Sequence, residues 1–212
     1  MLGFKRKRLF AKNLFLGYVS GDIDIREFWD NYKSSLLMQN ALMKLKPYKG
    51  VHSLPFTIEK LFLTPKNLLD KFDMSLFSHR VQLYHMAECY LLTHKINFIS
   101  RNRDKLKYDL IAETLPFYVL VLIDNMDYLY HILETAPKGL SENEFKIWAK
   151  NKFIALFRYD DIPPDWLQDP EWPFMQGEPL CFRSQEETNN GIVKYYFYSP
   201  KTNEEVVVEQ VE

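Results

Sequence analysis

Flexible and repetitive sequence is almost absent from this chain. Only seven of its 212 residues are glycine, and it has no low-complexity tract or internal repeat. Flexible linkers, solenoids and collagen-like assemblies are therefore excluded. Cysteine is equally scarce. Cys89 falls in an apolar helical pattern and Cys181 in a strand-like one, which fits buried thiols in a reducing compartment better than a disulfide scaffold. The longest uncharged apolar run, LPFYVLVLI at 115–123, has nine residues and contains Pro116; a membrane-spanning helix needs about 20. Near the N-terminus Lys12 and Asn13 interrupt what would be the apolar centre of a signal peptide. The expectation is a soluble, cytoplasmic protein.

Catalytic signatures are missing as well. There is no Gly-x-Ser-x-Gly, no phosphate-cradling glycine loop, no Gly-x-Gly-x-x-Gly and no His-Glu-x-x-His. The expectation is a protein without catalytic residues, cofactor or metal.

Aromatic residues make up 16% of the chain and hydrophobic residues 47%, enough for a substantial core. The formal net charge of −1 conceals an asymmetry. From Leu156 onward 12 acidic residues face 4 basic ones, net −8, whereas the preceding residues hold 16 acidic and 23 basic, net +7. Such a split points to a charged partner.

Residues 1–158 read as a helical body. RLFAKNLFLGYV (8–19) has helical spacing and a stop at Gly21. In DIREFWDNYKSSLLMQNALMKL (24–45) Asp24 is placed to cap one helix, with Phe28, Trp29, Tyr32, Leu36 and Leu37 recurring along it before Pro47 and Gly50 end it. Residues 46–57 read as a loop. TPKNLLDKF (64–72) opens with a Thr cap and proline at the first helical position. SLFSHRVQLYHMAECYLLTHKI (75–96) predicts a helix with a buried stripe of Leu76, Leu83, Ala87, Tyr90 and Leu91. A further helix over 105–134 is expected to kink near Pro116. In SENEFKIWAKNKFIALF (141–157) Ser141 and Glu144 form a capping box.

The pattern changes at residue 159. EPLCFRSQ (178–185), IVKYYFYS (192–199) and EEVVVEQ (204–210) have strand composition, and TNNG and SPKTNE supply the turns between them. The fold class expected is α+β: a mainly helical body with a C-terminal three-stranded antiparallel β-meander, the 159–212 region packing on the 1–158 body as one compact domain.

Three stretches of the sequence carry candidate chemistry. His85 and Cys89, and Asp127 and His131, stand four residues apart on predicted helices and could each pair on a metal; a helical metal-dependent enzyme is one alternative. The basic runs KRKR (5–8) and RNRDKLK (101–107) could hold phosphate; a nucleic-acid-binding module using Lys5–Arg8 and Arg101–Lys107 is the other. It is disfavoured by a pI of about 6.5 and by the lack of a recognition signature. Glu88, Glu113 and Asp124 read as solvated helix faces. The third chemistry lies in DDIPPDWLQDPEWPF (160–174), where four prolines, two tryptophans and five acidic residues share fifteen positions. Pro163, Pro164, Pro170 and Pro173 fix φ and lower the entropy of the segment. Trp166, Trp172 and Phe174 are expected to staple the meander to the helices. Asp160, Asp161, Asp165, Asp169 and Glu171 are expected to stay exposed, close together, as a partner-binding patch. A single-sign patch speeds encounter with an oppositely charged partner.

PPDWLQDPEWPFMQGEPLCFRSQ (163–185) and YYFYSPKTNEEVVVEQ (195–210) resemble bacterial immunity proteins encoded beside polymorphic toxins of contact-dependent inhibition, Rhs and type VI secretion systems. The shared pattern is Pro-Pro-x-Trp, then Glu-Trp-Pro, then Gly-x-Pro-Leu before a strand. YVSGDIDIREFWDNYKSS (18–35) is similar to their turn followed by Glu-Phe-Trp. Together these stretches cover under a third of the chain. The resemblance implies a non-catalytic bacterial protein that binds and neutralises one cognate toxin domain, with no small-molecule substrate and no membrane partner. A toxin with a basic substrate groove, such as a nuclease, would suit the acidic segment.

Overall fold

The computed structural model describes residues 2–45, 63–120 and 123–211, with only the backbone described for residues 2–8, 123 and 124. The loop expected over 46–57 lies outside the described residues. The chain packs as two compact units, Met1–Asp109 and Leu110–Glu212. The change of sequence pattern at residue 159 falls inside the second unit. This division sharpens the charge asymmetry: the first unit holds 10 acidic and 19 basic residues, net +9, and the second 18 and 8, net −10.

The described part of the first unit contains α1 (Leu2–Ser20), α2 (Ile25–Ser34), α3 (Leu36–Met43), α4 (Leu68–Lys71), α5 (Phe77–Thr93) and the start of α6 (Arg103–Thr114). Its core is aromatic: Tyr18 stacks on Phe28 and Phe15 on Tyr90, both with ring centroids 4.2 Å apart. Asp24 caps α2 by accepting from Glu27 N–H at 2.8 Å.

The single helix expected over 24–45 is two. Ser35 adopts extended backbone (φ −116°, ψ 98°), ends α2 and caps α3 through its own hydroxyl. Side chains bond to carbonyls around the break: Ser34 Oγ donates to Asp30 and Asn31, and Gln39 Nε2 to Tyr32 and Lys33. Serines that bond to nearby backbone offer the chain an exit from the helix. Leu36, expected in the apolar stripe, opens the second helix and is 75% exposed.

Two further expectations are corrected. α4 is one turn, because Asn67 Oδ1 takes the Thr64 N–H and holds 64–67 as a turn. α5 has no single buried stripe: Phe77–Leu91 is buried throughout except at half-buried Arg80, whereas Leu76 precedes the helix and is exposed. Its buried positions include Ser78, His79, Gln82, His85 and Glu88, so polar and apolar residues alike are covered and the periodic contrast is lost. Asn102 joins two helix ends. Its Oδ1 accepts from Asp104 N–H and Lys105 N–H at the start of α6, and its Nδ2 donates to the Tyr18 carbonyl near the end of α1.

In the second unit the helix expected over 105–134 is divided. α6 ends before Pro116 and α7 (Ile123–Glu134) follows. Proline disfavours helical backbone at the residue before it. α8 (Glu142–Leu156) has the expected capping box: Glu144 N–H donates to Ser141 Oγ and Ser141 N–H to Glu144 Oε2. Then come the two-residue strands β1 (Phe174–Met175) and β2 (Glu178–Pro179), and β3 (Cys181–Glu187), β4 (Ile192–Tyr198) and β5 (Glu205–Val211). β3, β4 and β5 form the expected antiparallel meander, so the fold class is α+β as read from the sequence. β1 and β2 add a small hairpin whose turn residues Gln176 and Gly177 both have positive φ, 52° and 79°, as a tight hairpin turn requires.

Among the described residues no helix is long and apolar enough to cross a membrane.

Candidate functional site

The register of the meander sorts its side chains. Phe182, Gln185, Tyr195, Phe197, Val206, Val208 and Gln210 share one face; Ser184, Tyr196, Tyr198, Glu205, Val207 and Glu209 share the other. The acidic segment is a strap fixed across the first face. It starts along the edge of β3, where Tyr159 bridges Phe182, Phe182 N–H donates to the Arg158 carbonyl and Asp160 N–H to the Phe182 carbonyl. It then crosses the sheet. Tyr195 is fully buried, and its hydroxyl donates to the Asp165 carbonyl at 3.0 Å and accepts from Leu167 N–H at 2.7 Å. Gln185 Oε1 takes the Asp165 N–H. On β5, Gln210 takes the Gln168 N–H at 2.9 Å and donates to the Asp169 carbonyl at 2.8 Å. A segment with four prolines has few backbone donors, and side chains of all three strands supply the partners it needs.

The rings act as expected. Trp172 is 4% exposed, donates Nε1–H to the Leu180 carbonyl at 2.8 Å, and packs against Tyr118, Phe157 and Phe197. Trp166 lies over Tyr195 and donates to the Tyr118 carbonyl. Phe174 meets Phe157 and Tyr128 edge-on.

All five carboxylate residues are exposed. They are spread along the strap rather than gathered at one point. Asp160 stands at the β3 edge, where its Oδ1 accepts from Tyr198 on the open face of the sheet at 2.9 Å. Hydrogen bonds with Cys181 and Asp160 hold the Tyr198 phenol above its ordinary pKa. Asp165 is fastened at β3 and β4, and Asp169 at β5. The backbone at Asp165 and Asp169 thus crosses the first face of the sheet from β3 to β5, while the Asp160 carboxylate turns at the β3 edge toward the other face.

Three exposed apolar residues that the sequence does not single out occur in or near the strap: Tyr159 and Ile162 by their place in the chain, and Phe117 through Tyr118. Phe117 is 86% exposed and Ile162 68%, and Tyr159 is also exposed. Phe117 and Tyr159 both touch the ring of buried Tyr118 edge-on, at 5.2 and 5.6 Å. In the sequence Phe117 is hidden inside the run LPFYVLVLI, where nothing distinguishes an outward ring from a core one. Exposed apolar residues bordered by charge have the makeup of a protein-binding surface.

The alternative sites are placed differently. His85 Nδ1 lies 3.2 Å from Glu88 Oε2, not on Cys89; Glu88, expected on a solvated face, is buried, and its Oε1 accepts from the Tyr84 hydroxyl, which accepts in turn from Ser100 Oγ. Burial holds the His85 imidazole below its ordinary pKa, and burial pushes the Cys89 thiol up to about 11. Asp127 and His131 belong to the second unit, with Asp127 half-buried and His131 exposed. No group of three or more His, Cys, Asp or Glu side chains arranged for a metal occurs among the described residues. Of the basic runs, the side chains of Lys5–Arg8 lie outside the described residues. Lys105 is buried and ion-paired with Asp109, while Arg101 and Arg103 are exposed. Glu113 pairs with Lys146 at 2.9 Å, and Asp124 has no described side chain.

No family model matches the chain, and neither the curated proteins nor the solved structures contain a significant match to it.

Proposed function

We propose that this protein is a bacterial immunity protein that binds a cognate toxin domain and neutralises it by forming a stoichiometric complex in the cytoplasm. The observation that carries this reading is the strap: exposed carboxylates on a backbone already fixed by proline and by side chains of three strands. A surface ordered before binding loses little entropy on binding. The resemblance of residues 163–185 and 195–210 to immunity proteins of polymorphic toxin systems supplies the class. The net charge of −10 on the second unit favours a toxin with a basic face, such as the substrate groove of a nuclease. Phe117, Tyr159 and Ile162, exposed in or near the strap, would provide apolar anchors.

The test is co-expression with the variable C-terminal domain of the large secreted protein encoded immediately upstream. Protection should saturate near one copy per toxin. The triple change Asp161→Asn, Asp165→Asn and Asp169→Asn should leave the melting curve in place, slow association and flatten its dependence on salt, since exposed charges act over about 8 Å at physiological ionic strength. Asp160 is left intact because it holds Tyr198. Absence of such an upstream protein, or protection at strongly substoichiometric amounts, would remove the reading. An unchanged rate and salt slope would remove the strap from the interface.

A further inference from the structure

We propose that two copies of this protein pair through the outer edge of β5, joining their three-stranded sheets into one antiparallel sheet across a two-fold axis. This interface meets the strap only at Val211, whose outward carbonyl is held by Gln168, and it does not depend on the toxin reading.

The direction of the backbone groups comes first. Ser199 N–H donates to the Glu204 carbonyl at 2.9 Å. Glu204 thus turns its backbone groups toward β4. In an antiparallel pair this alternates by residue. Val206, Val208 and Gln210 face β4 in the same way, while Glu205, Val207, Glu209 and Val211 direct theirs outward. The Val211 carbonyl is taken by Gln168 Nε2, as an outward group would be. The other sheet edge is taken by backbone: Phe182 on β3 bonds to Arg158 and Asp160 of the chain beside it, whereas on β5 a single side chain reaches one outward carbonyl.

Sequence and charge come next. Proteins blunt a free edge with lysine, proline, a bulge or an inward charge. EVVVEQV has no lysine or proline, and its pairing with β4 runs without a shift. Val207 and Val211 are 45% and 52% exposed. Its two carboxylates are already matched within the sheet: Glu205 pairs with Arg183, and Glu209 with Lys194 at 3.0 Å. No carboxylate on β5 itself then lacks a cation, although the unit as a whole carries net −10.

The pattern also selects a register. Outward residues must meet outward residues. Pairing about Val207 sets Glu205 opposite Glu209, and pairing about Glu209 sets that residue against itself; like charges directly opposite are unfavourable. Pairing about Val206 overlaps only three strand residues. Pairing about Val208 sets Val207 of one copy against Glu209 of the other, with all their outward groups available, and brings Glu205 opposite Val211, whose carbonyl stays with Gln168. No like charges are then directly opposed. Val208 meets its counterpart at a non-hydrogen-bonded position, where Cα atoms stand about 4.5 Å apart.

The test uses the full-length protein in sedimentation equilibrium from about 1 to 100 µM, the range suited to a small interface. Wild type should pass from monomer to dimer. Val207→Pro removes an outward N–H and leaves the β4 ladder intact, so it should stay monomeric with an almost unchanged melting curve. Val208→Cys should oxidise to a covalent dimer in high yield. A wild type that stays monomeric throughout, or a folded Val207→Pro variant that still dimerises, overturns the proposal. If Val207→Pro fails to fold, Val207→Lys is judged by the same two outcomes.

Discussion

Tyr195→Phe isolates the attachment of the strap. The hydroxyl of Tyr195 makes two hydrogen bonds to the backbone of the strap, from the Leu167 N–H at 2.7 Å and to the Asp165 carbonyl at 3.0 Å. The ring itself is fully buried and packs on Trp166 with centroids 4.5 Å apart. Removing the hydroxyl keeps that packing and deletes both bonds. Each bond contributes about 1 kcal/mol net, and more if its backbone partner stays dry. Both strap residues are exposed, so water can reach the freed groups. A loss of about 1–3 kcal/mol is expected, most of it in local opening of the strap. Taking 2 kcal/mol, the Leu167 amide should exchange with solvent about 30-fold faster, since about 1.4 kcal/mol is a factor of ten. Hydrogen exchange read by mass spectrometry over 160–174 measures this, with urea unfolding for the global loss. Tyr196→Phe is the control. Its hydroxyl reaches only the exposed Glu186 carboxylate, and its loss should cost under about 0.5 kcal/mol. If exchange over 165–169 is the same in Tyr195→Phe and wild type, the buried hydroxyl does not hold the strap, and its rigidity must come from the prolines, Gln185, Gln210 and the packed Trp166 and Trp172 rings.

Trp172→Ala should lower stability by about 3–5 kcal/mol, read by chemical denaturation, because it empties a site walled by Tyr118, Phe157 and Phe197; a loss under 1 kcal/mol would mean the rings do not anchor the strap. His85 is buried beside Glu88, Tyr84 and Tyr108, and its folded pKa lies below its ordinary value. The unfolded chain then binds the extra proton first, so stability should fall as pH drops below about 6.5. His85→Gln should flatten that slope and exposed His131→Gln should not; equal slopes in all three proteins would contradict the assignment. At Gly139 (φ 85°) an added Cβ meets nothing within 4 Å, whereas at Gly21 (φ 79°) it would stand 2.7 Å from the Arg101 carbonyl oxygen. Gly139→Ala should cost about 1–2 kcal/mol and Gly21→Ala more, by melting; the reverse order would show that backbone strain outweighs the close approach.

Local chemistry was legible in the sequence. The Ser141–Glu144 capping box, the Asp24 cap and the turns of the meander depend on residues close in the chain, and they stand where the pattern places them. The exposure of Asp160, Asp161, Asp165, Asp169 and Glu171 was equally readable, because carboxylates without buried partners stay in water. What the sequence could not give was contact between distant residues. The Ser35 break depends on Gln39 reaching back to Tyr32 and Lys33, while SSLLMQ carries no strong breaker. α5 lost its stripe because neighbours cover it on nearly every side. The division at Asp109–Leu110 falls within a helix that looks uniform in sequence. The path of the strap was decided by Gln185, Tyr195 and Gln210, which lie 20 to 42 residues beyond the backbone they hold. The same tertiary arrangement left Phe117 in solvent and put Tyr118 beside it in the core. Periodicity reports which side of an element is apolar; only the packing decides how many of its sides are covered.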